Sequence, residues 1–231
     1  MTLRSVNPTT GNTLQSYVEM TEDKVNGIVE CVHGAYNGWR KPSFSFRAER
    51  MKKVAQLLRN GKEKFGTLMT EEMGKPYKQS IAEVEKCAWV CEYYADNAEK
   101  FLANKDIETE ASKSFVSYQP IGIVLAIMPW NFPFWQVFRF AVPALMAGNG
   151  GILKHASNVQ GCAQAIEGIF TAADLPDNLF KTLVIGSDKV ENIIKNPLVK
   201  AVTLTGSTPA GKAVAALAGS MLKKTVLELG G

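Results

Sequence analysis

From Ile121 onward, short apolar runs alternate with helical stretches, and nothing else in this 231-residue sequence restricts its fold so strongly. The runs cover 121–128, 151–155, 181–185, 200–206 and 225–231; helical patterns fill 159–173, 188–196 and 208–221 between them. Strands that alternate with helices imply parallel βαβ units, whose strands are covered on both faces and so read as nearly continuous apolar runs. The expected fold class is therefore α/β, with a parallel sheet. Such sheets bind ligands beyond the carboxyl ends of their strands, so the chemistry is expected just after these runs.

The chain before this point is expected to be helical up to about Leu102. Met51, Val54, Leu58, Phe65 and Leu68 recur at helical spacing, with Lys, Arg and Glu between them. "EEMGKPYKQS" should break the helix at Gly74 and Pro76, and a further helix should run over about 79–101, with Ile81, Val84, Ala88 and Cys91 on one stripe. Residues 103–120 turn polar and then alternate, which reads as a loop and an extended strand ending at Pro120. Three stretches result: a helical part over 1–102, a loop and strand over 103–120, and βαβ units over 121–231.

The most apolar stretch, "IVLAIMPWNFPFWQVFRFAVPALMAG", raises the question of a membrane span. Pro129, Pro133 and Pro143 would each interrupt a spanning helix, and Arg139 alone would cost roughly 2.5–3.5 kcal/mol in hydrocarbon. A strand, a tight turn and a buried helix fit better. The first residues, "MTLRSVNPTTGNTLQSY", form no apolar run, and Asn7-Pro8-Thr9-Thr10-Gly11 is turn chemistry, so no export is expected. Cys31, Cys87, Cys91 and Cys162 show no small-scaffold disulfide spacing, which suits a reducing, cytoplasmic setting. Cys87 and Cys91 fall one helical turn apart, but two ligands make no metal site, so core packing is expected and no metal. The net charge of +4 is spread, with doublets such as Lys52-Lys53 and Lys223-Lys224 on surface, which argues against nucleic acid.

Three strand ends carry polar groups. "LTGSTPAGK" follows a strand and opens a helix; Gly206 lets a ligand approach the backbone, and Ser207 is an N-cap candidate beside free amides that favour phosphate. Its spacing is neither G-x-G-x-x-G nor a P-loop, so taken alone it reads first as a capped turn without a ligand. Lys154, in "LKHASN", could donate to ribose or phosphate oxygens or simply reach solvent. Glu228, in "LELGG", reads as a residue of a central strand between two leucines; it must be paired, protonated or at an exposed strand end, and either a general base or a salt-bridged structural glutamate fits.

Taken together and in order, "MPWNFP", "LKHASN", "LTGSTPAGK" and "LELGG" resemble the NAD(P)-dependent aldehyde dehydrogenase superfamily, over essentially the whole chain. "PWNFPFWQVFRFAVPALMAGN" followed by "LKHASNVQGCAQ" is similar in particular to bacterial succinate-semialdehyde dehydrogenases of the NAD-preferring kind. The resemblance implies a Rossmann-like cofactor domain and oxidation of an aldehyde to its acid through a cysteine thiohemiacetal and thioester. It assigns Asn131 to the oxyanion donor and Glu228 to the base that activates water. It places NAD, with room for NADP, against Ile127, Trp130, Lys154, Ser157, Gly186, Gly206, Ser207 and Leu229. Arg139 aligns with an arginine that binds the distal carboxylate of the substrate; a carboxylate of the same chain would also satisfy its bidentate fork.

Two departures from the family pattern stand out. The family's catalytic cysteine lies in a domain that follows "LELGG", and none of the four cysteines here matches it. The chain thus resembles the N-terminal half of such an enzyme, without the C-terminal catalytic domain, and by itself is expected to be silent. The strand in "SFVSYQPIG" is then expected to lack its partner in a homo-oligomer. Ser157 also stands where many NAD-specific members carry a glutamate that repels a 2′-phosphate. A non-catalytic nucleotide-binding or subunit-interaction module is the alternative function.

Overall fold

The strand–helix alternation and the earlier helical periodicity both appear in the computed structural model, which describes residues 2–230. Where helix is expected from the start, however, the chain first makes a hairpin, β1 (Thr2–Val6) and β2 (Thr13–Val18), paired antiparallel. Its turn is the one legible in the sequence: Asn7 Oδ1 accepts from the amides of Thr9 and Thr10 at 2.9 and 3.1 Å, and Gly11 takes φ +75°. The strands themselves left no alternation to find, because only Ser5 and Tyr17 are buried.

Four helices follow: α1 (Glu22–Trp39), α2 (Phe44–Asn60), α3 (Lys62–Met73) and α4 (Tyr77–Phe101). The stripe from Met51 to Phe65 spans two of them, broken at Gly61. As expected, Gly74 ends α3 in the left-handed region at φ +74°, and Pro76 precedes α4. Cys87 and Cys91 are fully buried on α4, which is the packing role their spacing suggested.

Residues 105–116 form a small arm, β3 (Lys105–Asp106) against β4 (Phe115–Val116). The strand in "SFVSYQPIG" is thus not wholly without a partner: a two-residue pairing with β3 covers one of its edges. Ile107, Phe115, Val116 and Tyr118 on this arm remain exposed.

The rest is a five-stranded parallel sheet with the order β7-β6-β5-β8-β9. Its strands are β5 (Ile123–Met128), β6 (Gly150–His155), β7 (Phe180–Thr182), β8 (Val199–Gly206) and β9 (Lys224–Leu229). The stretch that mimicked a membrane span is β5, a turn and the helix α5 (Trp135–Met146). No helix among the described residues is long and apolar enough to cross a membrane. The remaining helices are α6 (Gln160–Ala172), α7 (Val190–Lys195) and α8 (Thr208–Ser220).

Helices α2 to α6 share one apolar core with Ala126, Met128 and Leu153, while α1, α7 and α8 share the other with Leu125, Ile152 and Val202. The glycines that open β6 permit this closeness: a Cβ on Gly150 would meet Val32 of α1 at 3.0 Å, and one on Gly151 would meet Phe180 at 2.7 Å. From β5 the chain steps to β6 and β7 on one side, then returns to β8 on the other. That reversal opens a crevice between the carboxyl ends of β5 and β8, where such sheets bind ligands.

Candidate active site

The turn that leaves β5, "PWNFPF", carries Trp130 and Asn131 over this crevice. Pro129, Trp130, Asn131 and Gln136 face Thr205, Gly206, Glu228 and Leu229 across a cleft of about 510 Å³. The turn is tied down on several sides. Lys75 Nζ donates to the Asn131 carbonyl at 3.3 Å, and the amides of Phe134 and Trp135 each donate to Glu83 Oε1 at 2.9 Å. His155 lies 2.9 Å from the Pro133 carbonyl through Nε2, while the Ala156 amide donates to its Nδ1 at 2.9 Å. The second bond requires Nδ1 to be bare, so Nε2 carries the proton and donates. Burial pulls the pKa of this imidazole down to about 4, which keeps it neutral. His155 is a buried packing residue and also a tether for the Asn131 turn.

Arg139 sits one helical turn beyond Trp135. Its Nη1 lies 3.0 Å from Glu228 Oε2, and its Nη2 donates to Thr205 Oγ1 at 3.3 Å. Of the alternatives open in the sequence, a carboxylate of the same chain is the partner in this structure. The side chains of Arg139 and Glu228 are 33% and 49% exposed. Glu228 is not on a central strand: among the described residues β9 is an edge of the sheet, which explains that exposure. Its position opposite Thr205 on β8 brings the carboxylate to the mouth of the cleft.

The phosphate-type features lie along the same carboxyl edge. Ser207 caps α8, its Oγ accepting from the Ala210 amide at 3.4 Å, with Gly206 at the end of β8. Leu229 pairs with Gly206 and crowds the start of α8, where a Cβ on Gly211 would come within 2.5 Å of it. Lys154 is buried at the end of β6; burial lowers its ammonium pKa, and the charge of Asp188 offsets only part of that. Gly186 follows β7 and opens the short turn that carries Asp188. Ser157 is exposed, Ile127 is partly buried under the crevice, and Trp130 is 51% exposed. Asn131, Trp130, Gly206, Glu228 and Leu229 thus line one cleft and Arg139 reaches it through Glu228, whereas Lys154, Ser157 and Gly186 lie outside that lining, on β6 and in the segments that follow β6 and β7.

No cysteine lines that cleft. Cys87, Cys91 and Cys162 are buried, and burial raises their thiol pKa values, whereas Cys31 is exposed on α1. Among the described residues no three His, Cys, Asp or Glu gather as a metal site.

The model of the aldehyde dehydrogenase family matches residues 1–231. The chain belongs to the aldehyde dehydrogenase family. A protein of Synechocystis sp. named probable succinate-semialdehyde dehydrogenase NADP(+) is 48% identical over 231 residues, covering 100% of this chain and 51% of the relative. Succinate-semialdehyde dehydrogenase NADP(+) 1 of Mycobacterium tuberculosis is 45% identical over 234 residues, again with 100% and 51% coverage. Among solved structures, succinic semialdehyde dehydrogenase of Streptococcus pyogenes in complex with NADP+ superposes with a TM-score of 0.96 at 36% identity, covering 99% of this chain and 50% of that one. This aldehyde dehydrogenase chain therefore spans about half the length of the curated relatives it matches.

Gln136, Thr205, Lys75 and Glu83 belong to the site although nothing in the sequence singled them out for it. Gln136 Oε1 is buried at the cleft without a hydrogen-bond partner among the described residues. Lys75 was visible only as part of a helix break, and Glu83 looked like one more carboxylate on an amphipathic helix.

Proposed function

We propose that this chain is the dinucleotide-binding half of an enzyme that oxidises succinate semialdehyde, or a related short aldehyde acid, to the dicarboxylic acid. The observation that carries the reading is the meeting of Asn131, Arg139 and Glu228 at one cleft, beside the capped start of α8. Asn131 donates its side-chain amide to the aldehyde oxygen as negative charge develops there. Glu228 takes a proton from the water that releases the acyl group. The attacking thiol comes from the rest of the full-length enzyme, because the thiols of this chain lie away from the cleft.

Arg139 receives the distal carboxylate of the substrate. Its pairing with Glu228 does not oppose this, since an ion pair this exposed is worth about 1 kcal/mol or less and exchanges readily. A carboxylate that displaces Glu228 from the arginine also frees the glutamate to act as base.

The residues present fit a dinucleotide. Lys154 keeps an ammonium in a buried place that lowers its pKa, which an anionic or hydroxyl-rich ligand would relieve, and the first amides of α8 face the same edge. Bound there, the dinucleotide supplies the hydride acceptor. We read NADP ahead of NAD: the relatives' names carry NADP(+), and exposed Ser157 offers a 2′-phosphate no repelling carboxylate. A cytoplasmic, homo-oligomeric enzyme completes the reading, supported by four free thiols and by the exposed apolar arm around Phe115 and Tyr118.

The test is Arg139→Ala in the full-length enzyme. KM for succinate semialdehyde should rise roughly 10- to 100-fold, the worth of a charge-assisted hydrogen bond, while KM for an uncharged aldehyde of similar size moves little. Equal losses on both substrates would make the arginine structural and remove the acid-aldehyde assignment.

A further inference from the structure

We propose that the buried Lys75–Glu83 ion pair is a positioning device for the Asn131 amide; this rests on the reading of Asn131 as the oxyanion donor. The two side chains are only 6% and 2% exposed and bond directly to each other. Two charges taken so far out of water need further hydrogen bonds to be tolerated, and where those bonds go shows what the pair holds. They go to the turn after β5. Lys75 Nζ donates to the Asn131 carbonyl at 3.3 Å and lies 3.5 Å from the centre of the Phe132 ring. Glu83 Oε1 accepts from the amides of Phe134 and Trp135 at 2.9 Å each. The pair therefore grips the chain on both sides of Pro133, and one of its contacts is the peptide of Asn131 itself.

Local backbone sets the lysine up for this. Lys75 stands between Gly74, in the left-handed region at φ +74°, and Pro76 at φ −54°, so the corner between α3 and α4 has little freedom. Glu83 also supplies what α5 lacks, since no side chain of its own caps that helix. Without the ammonium, the Asn131 carbonyl loses its tether, and the backbone that carries the side-chain amide is freer to shift. The pair makes no direct bond to Arg139 or to the start of α8, so substrate and dinucleotide binding should survive.

The experiment is a double-mutant cycle in the full-length enzyme with succinate semialdehyde. Lys75→Met and Glu83→Gln should each lower kcat roughly 10- to 100-fold, part of the 10²–10³ that one oxyanion donor supplies, with KM and NADP affinity within about twofold. Lys75→Arg, which keeps the charge, should restore most of the activity. In an Asn131→Ala background the same two substitutions should cost less than about twofold, because the group they act through is gone. Equal losses in both backgrounds, or none in the wild type, overturn the proposal. Undiminished kcat in Asn131→Ala alone would instead remove the reading of Asn131 on which it rests. If Lys75→Met does not fold, Glu83→Gln, which keeps an oxygen for the two amides, carries the same comparison. If neither folds the proposal is also overturned, since the pair would then support the whole fold rather than one amide.

Discussion

His155 is held as a neutral imidazole between the Pro133 carbonyl and the Ala156 amide, and its pKa of about 4 against an ordinary 6.5 has a consequence for stability. Between those values the unfolded chain takes up a proton that the folded chain refuses, so acid favours unfolding. The contribution is complete above about pH 6.5 and fades as pH falls towards 4, amounting to roughly 3 kcal/mol. In His155→Gln, which keeps a donor for the Pro133 carbonyl, the fall in melting temperature from pH 7 to pH 4 should be smaller than in the wild type. Parallel pH curves for the two proteins would show that His155 is not the group responsible. At this scale the sequence was informative where a side chain acts on its immediate neighbours. The Ser207 cap and the Asn7 turn could be read directly, while the roles of Lys75 and Glu83 could not, because their partners lie 56 and 51 residues away.

Two helices that follow parallel strands, α5 and α6, begin without a capping side chain of their own, in contrast to α8. Each is capped instead by a buried glutamate from the N-terminal helices. Glu83 serves α5, and Glu72 serves α6 by accepting from the amides of Gly161 and Cys162 at 2.8 Å each. Glu72 also receives the hydroxyl of Ser5, which pins the β1–β2 hairpin to α6. Glu72→Ala leaves two helix amides and Ser5 without their partner, and should cost about 2–4 kcal/mol in denaturant unfolding. Amide exchange in β1 and β2 should quicken along with it. A loss under 1 kcal/mol with an unchanged hairpin would show that solvent replaces the carboxylate. The hairpin itself was hidden from the sequence because its register depends on this buried contact rather than on an apolar face.

As a whole, the chain sets the cleft at the carboxyl ends of β5 and β8 beside an open flank. β9 lies at the edge of the sheet with Val226 61% exposed, and an apolar groove of about 390 Å³ runs between α5 and the β8–β9 side. The expected behaviour of the 231-residue chain is binding of NADP by calorimetry and no turnover of succinate semialdehyde, since no thiol reaches the cleft. Turnover would require a nucleophile within the chain; failure to bind either NADP or NAD would mean that the crevice does not hold its shape with β9 exposed. The sequence by itself determined the parallel strands after Ile121, the helices, the turn chemistry and the ordered set of motifs, because each depends on periodicity or on groups a few residues apart. Only the tertiary structure decided that Arg139 meets Glu228, that β9 is an edge, and that Lys75, Glu83 and His155 hold the Asn131 turn. Those facts arise from the order in which the strands pack and from buried charges seeking partners far along the chain, which no local pattern encodes.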